Sequence, residues 1–174
     1  MLLAKKNSME SSTKAKYWLS CILLTIPPLI FNIIFADNLP KAFGPDIFDK
    51  DIPALIAFPE NILRAFVFIF PLFMPLKIKT KRQKIGLILY LLGISIYFLS
   101  WILLIFSPES IWSISLFGFL APAYTPLIWL LGIGLIGDSL YFPISYKWWY
   151  YLLGVIAFLI FHISHTFLVY SRGI

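Results

Sequence analysis

The sequence predicts an all-α polytopic membrane bundle of about five transmembrane helices. Three observations lead there: a surplus of apolar residues, the lengths of the apolar runs, and the positions of the basic residues. Of 174 residues, 60% are hydrophobic and 13% charged, with a mean hydropathy of +0.89. A soluble domain carries roughly 45–50% apolar and about 25% charged residues. The surplus is too large for one small core, and lipid is the solvent that accommodates it. A membrane helix takes about 20 residues, so residues 1–174 are read as one integral membrane domain.

Residues 1–16 are polar and basic, with Lys5, Lys6, Lys14 and Lys16. The apolar run 17–36 is read as an uncleaved helix. It is long for the core of a signal peptide, and Ile34-Phe35-Ala36 lacks a small residue two before a cleavage point. Pro27-Pro28 should kink or break it, because proline removes a backbone donor and clashes with the preceding turn. Residues 37–58 form the longest connection, with Pro40, Gly44-Pro45 and Pro53 as breakers. Its end, 52–58, is too apolar for a solvated loop and too short to span, which predicts an interfacial or re-entrant piece.

The second helix is expected over 59–76, starting on Pro59, a residue suited to the first helical position. The basic stretch 77–84 ends it. The third helix is expected over 85–106, followed by the turn 107–110. The fourth, over 111–137, should be kinked or split by Pro122 and Pro126. After a short loop the fifth occupies 148–170. Trp148-Trp149-Tyr150-Tyr151 suits an aromatic belt at one interface, and Trp101 and Trp112 suit the other.

Charge orients the bundle. A cytoplasmic N-terminus puts Lys5, Lys6, Lys14, Lys16, Lys77, Lys79, Lys81, Arg82, Lys84 and Lys147 inside, and only Lys41, Lys50, Arg64 and Arg172 outside. Lys and Arg are retained on the cytoplasmic side, so the N-terminus is expected in and the C-terminus out. The basic residues sit in short runs beside apolar segments, as topology signals and contacts for anionic headgroups do. That pattern excludes a nucleic-acid footprint. Membrane lipids are the partners to expect, with a homo-oligomer or a membrane complex partner. Gly118, Gly132, Gly134 and Gly137 offer close-packing faces for either. Cys21 stands alone, which excludes an intramolecular disulfide, and it opens an apolar run where a lipoprotein cysteine would follow one.

No soluble-enzyme motif is present: no Gly-rich phosphate loop, Cys-x-x-Cys, His-Glu-x-x-His or Gly-x-Ser-x-Gly. Gly132-Ile133-Gly134-Leu135-Ile136-Gly137 lies in a membrane helix with no strand before it, so it reads as helix packing. No cofactor is implied. The polar residues of the helices carry the remaining information. Asn32, Glu60, Asn61, Arg64, His162 and His165 fall at similar depth in the outer half, where ionisable groups face the protein interior or a wet cavity. These six are the candidate binding residues.

Structural readings stand beside the functional one. Glu60 and Arg64, four apart, can pair on one helix, and Arg64 can snorkel to the headgroups. His162 and His165, three apart, share a face. They could ligate a metal with Glu60 or a loop aspartate as third ligand, or hydrogen-bond between helices. Asp37, Asp46, Asp49 and Asp51 lack the regular spacing of a calcium loop. Pro71-Leu72-Phe73-Met74-Pro75-Leu76 and Pro122-Ala123-Tyr124-Thr125-Pro126-Leu127 share the pattern Pro-x-aromatic-x-Pro-Leu, as an internal repeat would.

The expected function is binding of a lipid headgroup, small solute or partner helix through the outer-half cluster. One alternative is a membrane-embedded enzyme acting on lipid or lipid-linked substrates with a His/Glu pair, which requires Glu60 and His162 to approach to about 3 Å. Another is a transport or channel subunit with proline-broken helices, which requires a cavity reaching Pro122 and Tyr124.

Overall fold

The computed structural model describes residues 19–173. Lys5, Lys6, Lys14 and Lys16, with the expected helix start at Tyr17 and Trp18, lie outside the described residues. The fold is a helical membrane bundle with no strand among the described residues. Its outer surface is apolar: Leu55 is 85% exposed, Ile111 86% and Ile33 74%, which lipid accommodates and water does not. Ala54–Phe73, Lys81–Phe106 and Trp148–Ser171 are long and apolar enough to cross a membrane, whereas Cys21–Ile34 and Ala121–Ile136 are shorter.

The first segment is a 3-10 turn, Cys21–Leu24, followed by helix α1, Ile26–Ile34. Pro27 and Pro28 break the segment as expected, but they do so from the first turn of α1, where no helical N–H is required of them. At its start the Cys21 N–H donates to the Met74 carbonyl at 2.8 Å, and at its end Phe35 packs on Phe106. The segment thus runs from the end of the bundle that carries Lys77–Lys84 (the basic end) to the end that carries the long connection (the loop end). That connection holds two single turns, Lys41–Phe43 and Pro45–Phe48.

Helix α2 spans Ala54–Ile69 and continues as a 3-10 turn, Phe70–Phe73. This corrects two expectations. The segment 52–58 is not a separate interfacial piece, and Pro59 lies inside the helix. Pro53 precedes the first turn, so only one helical hydrogen bond is lost at Pro59, and the apolar residues Ala54–Phe58 lengthen the span instead. Pro71 and Pro75 end it early, and Met74 and Leu76 pair with the backbone of residues 19–21.

Helix α3, Lys81–Phe106, starts four residues earlier than expected. Thr80 accepts from the Gln83 N–H, and the Gln83 side chain accepts from the Thr80 N–H, a reciprocal cap that pulls the basic stretch into the first turn. Thr80→Ala should cost about 1 kcal/mol, read as a lower thermal midpoint with protection from hydrogen exchange lost first at Lys81–Lys84. Along α3, Gly86, Tyr90 and Gly93 meet helix α4, Pro126–Ile136, so closely that a Cβ on Gly93 would lie 2.4 Å from the Trp129 nitrogen.

The fourth segment is split, as its prolines predict: single turns at Ile111–Ile114, Leu116–Phe119 and Ala121–Tyr124 precede α4. Ser110 and Ser115 cap two of the turns, and Pro122 and Pro126 each open a new helix. Helix α5, Trp148–Ser171, packs against α2 and α4. Tyr151 departs from the expected belt: it is fully buried, donating to the Val67 carbonyl at 3.0 Å. Trp101 likewise turns inward, packing edge-on against Phe43, while Trp112 stays exposed.

The glycines offered as oligomer faces are used within the chain. Gly132 touches Gly86 and Tyr90, Gly134 touches Tyr151, Gly137 touches Met74, and Gly118 touches Trp112. The two Pro-x-aromatic-x-Pro-Leu stretches also differ, since 71–76 leaves the helix and pairs as extended chain while 122–127 stays helical. They are two independent breaks.

Candidate functional site

Helix periodicity places the site. On α2, Glu60, Leu63 and Val67 share the inward face; on α5, Tyr151, Val155, Phe158, His165 and Val169 are buried along one stripe. Packing these faces together sets a carboxylate opposite two imidazoles. Glu60 is 1% exposed and His165 2%. Glu60 Oε1 faces His162 Nδ1 at 2.9 Å, and Oε2 faces His165 Nδ1 at 2.6 Å. Arg64, one turn along α2, also binds Oε1. The carboxylate therefore has a partner on every side, as a buried charge requires.

Proton positions follow from the partners. His165 Nε2 lies 3.0 Å from the Phe48 carbonyl, which only accepts, so Nε2 carries a proton. One further proton lies in the short contact between Nδ1 and Oε2. Arg64 holds Oε1 as an acceptor, so His162 donates to it from Nδ1. The His162 Nε2 is then free of protein partners among the described residues. Its ring is stacked on Phe158, which fixes the direction of that nitrogen.

His165 does more than hold Glu60. Its ring stacks on Phe48 with centroids 4.3 Å apart, and Asp49 lies 3.9 Å from Nε2. The long connection is thereby seated on α5. Asp51 takes a positive φ of 53°, a turn that redirects the chain into Pro53 and α2.

Beside this network is a cavity of about 590 Å³. Asn32, Asn61, Arg64 and His162 line it together with Thr166 and Tyr97, and Phe43, Phe48, Phe68, Trp101, Trp129 and Phe158 supply most of its aromatic wall. Exposed lining residues stand on two helices, Leu29 and Asn32 on α1 and Asn61, Ala65 and Ile69 on α2, so the cavity opens between them. Toward the basic end it stops at Trp129 and Leu130. Beyond them Val67, Ile133, Ile136, Tyr151 and Met74 are packed without exposure.

The structure thus brings all six candidate residues to one region, in two roles. Glu60, Arg64, His162 and His165 form one connected network. Asn32, Asn61, Arg64 and His162 line the cavity, whereas Glu60 and His165 lie behind its wall. Asn32 accepts from the Tyr97 hydroxyl at 2.9 Å. No group of three His, Cys, Asp or Glu is placed to hold a metal among the described residues, because both Nδ1 atoms are turned onto the carboxylate itself. Tyr97, Thr166 and Trp129 escaped the sequence reading, which had placed Trp101 at an interface. Polar tips at mid-helix were the available signal, but each residue is individually compatible with an interface or a core.

The chain matches no protein-family model, no curated protein and no solved structure. Its function is to be argued from this geometry.

Proposed function

We propose that this is a lipid-binding membrane protein. The cavity between α1 and α2 takes an amphipathic molecule whose headgroup lies at Arg64, His162, Asn32 and Asn61. The observation that carries this reading is the cavity's composition: an open cavity, aromatic and aliphatic over most of its wall, with Asn32 and Asn61 on its lining and with Arg64 and His162 brought together there by Glu60. Arg64 is 43% exposed and uses its guanidinium on Glu60 alone among the described residues, which leaves N–H donors for an anion. His162 Nε2, with its partner nitrogen donating to Glu60, accepts a hydrogen bond when the ring is neutral. The fitting headgroup therefore combines an anionic group with a hydroxyl or amine donor.

The proposal includes a multi-pass arrangement with the N-terminus cytoplasmic and the C-terminus extracytoplasmic. Ten of the 14 Lys and Arg residues then lie inside, as retention of positive charge favours. The cavity mouth then opens in the outer leaflet.

Native mass spectrometry of the gently extracted protein tests this. The wild type should retain an anionic phospholipid, and Arg64→Ala should lower its occupancy by roughly ten-fold, the worth of a charge-assisted hydrogen bond. Equal retention by both proteins, or retention by neither, would overturn the reading.

A second reading draws on one observation. The 2.9 Å contact between Glu60 and His162 meets the distance that a carboxylate-oriented general base needs. In that case bound lipid would be converted over time by the wild type and remain intact with His162→Gln. Transport is less well supported: the cavity reaches Pro122 but not Tyr124, and packed side chains fill the bundle toward the basic end.

A further inference from the structure

The imidazole of His165 stands between two acceptors. Its Nδ1 faces Glu60 Oε2 at 2.6 Å, and its Nε2 faces the Phe48 carbonyl at 3.0 Å. Filling both gaps takes two protons. With Glu60 ionised the ring is an imidazolium; with Glu60 protonated the ring is neutral. Either way the pair holds one proton more than a carboxylate beside a neutral imidazole.

Raising the pH removes that extra proton, and one of the two contacts must then fail. The two ends are unequal. Glu60 is 1% exposed and lies behind the cavity wall. Phe48 belongs to the surface turn Pro45–Phe48, and the Asp49 side chain beside it is 71% exposed. The remaining proton therefore stays on Nδ1, where the buried carboxylate requires it. Nε2 is left as a lone pair facing a carbonyl oxygen. Two facing acceptors repel, and the carbonyl finds water once the turn lifts.

The surrounding charges act in the same direction. Asp49, 3.9 Å from Nε2, attracts the charged ring and loses that attraction when the proton leaves. From α2, Glu60 gives Oε1 to Arg64 and to His162, which keeps Oε2 for His165. The rest of the connection is held by contacts that do not titrate. Phe43 stacks on Phe119 with centroids 4.6 Å apart and meets Trp101 edge-on. Arg172 donates to the Ile47 carbonyl at an exposed position. The change is thus confined to the turn that carries Phe48.

Phe48 lines the cavity, so its seat on His165 is part of the cavity wall. Resting on the lipid-binding reading, we infer that the extra proton at His165 is a latch on this site. Bound, it seats Pro45–Phe48 and completes the cavity wall; lost, it frees Phe48 and weakens the hold on lipid. The seat is present at low pH and is lost as pH rises.

Hydrogen exchange of the full-length protein in detergent, from about pH 5 to about pH 9, tests the latch. The Ile47, Phe48 and Asp49 amides are bonded within the turn, to Gly44 and Pro45. Their protection factors, corrected for the intrinsic rate at each pH, should fall about ten-fold as pH rises, the worth of one hydrogen bond from a charged donor. Asp49→Asn should move the midpoint of that fall down by about half a pH unit, since it removes an attraction that favours the charged ring. Wild-type protection that is constant across the range, a fall shared equally by the amides of α3, or a midpoint that Asp49→Asn leaves in place would each overturn the inference. Retention of dioleoyl phosphatidylglycerol, whose charge is constant over this range, is followed in parallel by native mass spectrometry. It should fall with the same midpoint as the turn in each protein. Retention that ignores the transition, or whose midpoint Asp49→Asn does not move (as titration of His162 alone would give), would overturn the latch's control of the cavity. Retention at no pH would overturn the lipid reading, while a moving midpoint in exchange would still support the proton-held turn.

Discussion

Glu60→Ala is expected to destabilise the protein by about 3–5 kcal/mol, the cost of removing one partner from a buried charge network. The loss falls mainly at His165, which is almost fully buried and would be left with its Nδ1 facing an empty space where the carboxylate had been. Arg64 contributes less, because it is 43% exposed and water can take over. Glu60→Gln keeps the shape and one acceptor oxygen, so its loss should be smaller. Thermal midpoints of the three proteins in one detergent give the comparison. The long connection provides a second readout. His165 holds the Phe48 carbonyl and stacks on its ring, so Glu60→Ala should speed hydrogen exchange across Lys41–Phe48 before the helices are affected. An unchanged midpoint would mean that the network adds no net stability.

The second large effect belongs to the contact of α3 with α4. Gly93→Ala places a Cβ 2.4 Å from the Trp129 backbone nitrogen and 2.8 Å from the Ile128 carbonyl carbon. Both atoms are main chain and cannot turn aside, so the helices must separate. The expected cost is about 1–3 kcal/mol. Gly134→Ala is the comparison: its added Cβ would meet the Tyr151 ring at 3.2 Å, a side-chain contact that a small shift relieves. Midpoints should fall clearly for Gly93→Ala and little for Gly134→Ala. Equal losses would show that the tight α3–α4 contact has no special weight.

How much of this was readable beforehand depends on the range of the interaction. The apolar surplus and the run lengths require a helical membrane bundle, since backbone polar groups in lipid must be satisfied within the segment. The prolines at 122 and 126 announced breaks for the same local reason. Pro59 misled because a proline can open a helix or be tolerated within its second turn, and Pro53, which sits just ahead of the first turn, made the longer helix available. The basic stretch joined α3 because Thr80 and Gln83 cap each other, a pattern that is local but was outweighed by the cluster of charge around it.

The six candidate residues were found from cost: ionisable and amide groups do not lie in lipid without partners. Their depth along each helix follows from residue count, and so is a property of the chain alone. Their roles do not follow from it. That Glu60 faces both histidines, that His162 keeps one nitrogen free, and that Trp129 is left without an acceptor depend on how α2, α4 and α5 are rotated about their axes. The rotation of α4 is set by Gly86, Gly93 and Gly132, where α3 and α4 meet backbone to backbone, and that of α5 against α2 by side-chain packing such as the Phe66 ring on Gly154. A helix's apolar residues state that it has an inward side. Which residue stands opposite is decided when the helices pack.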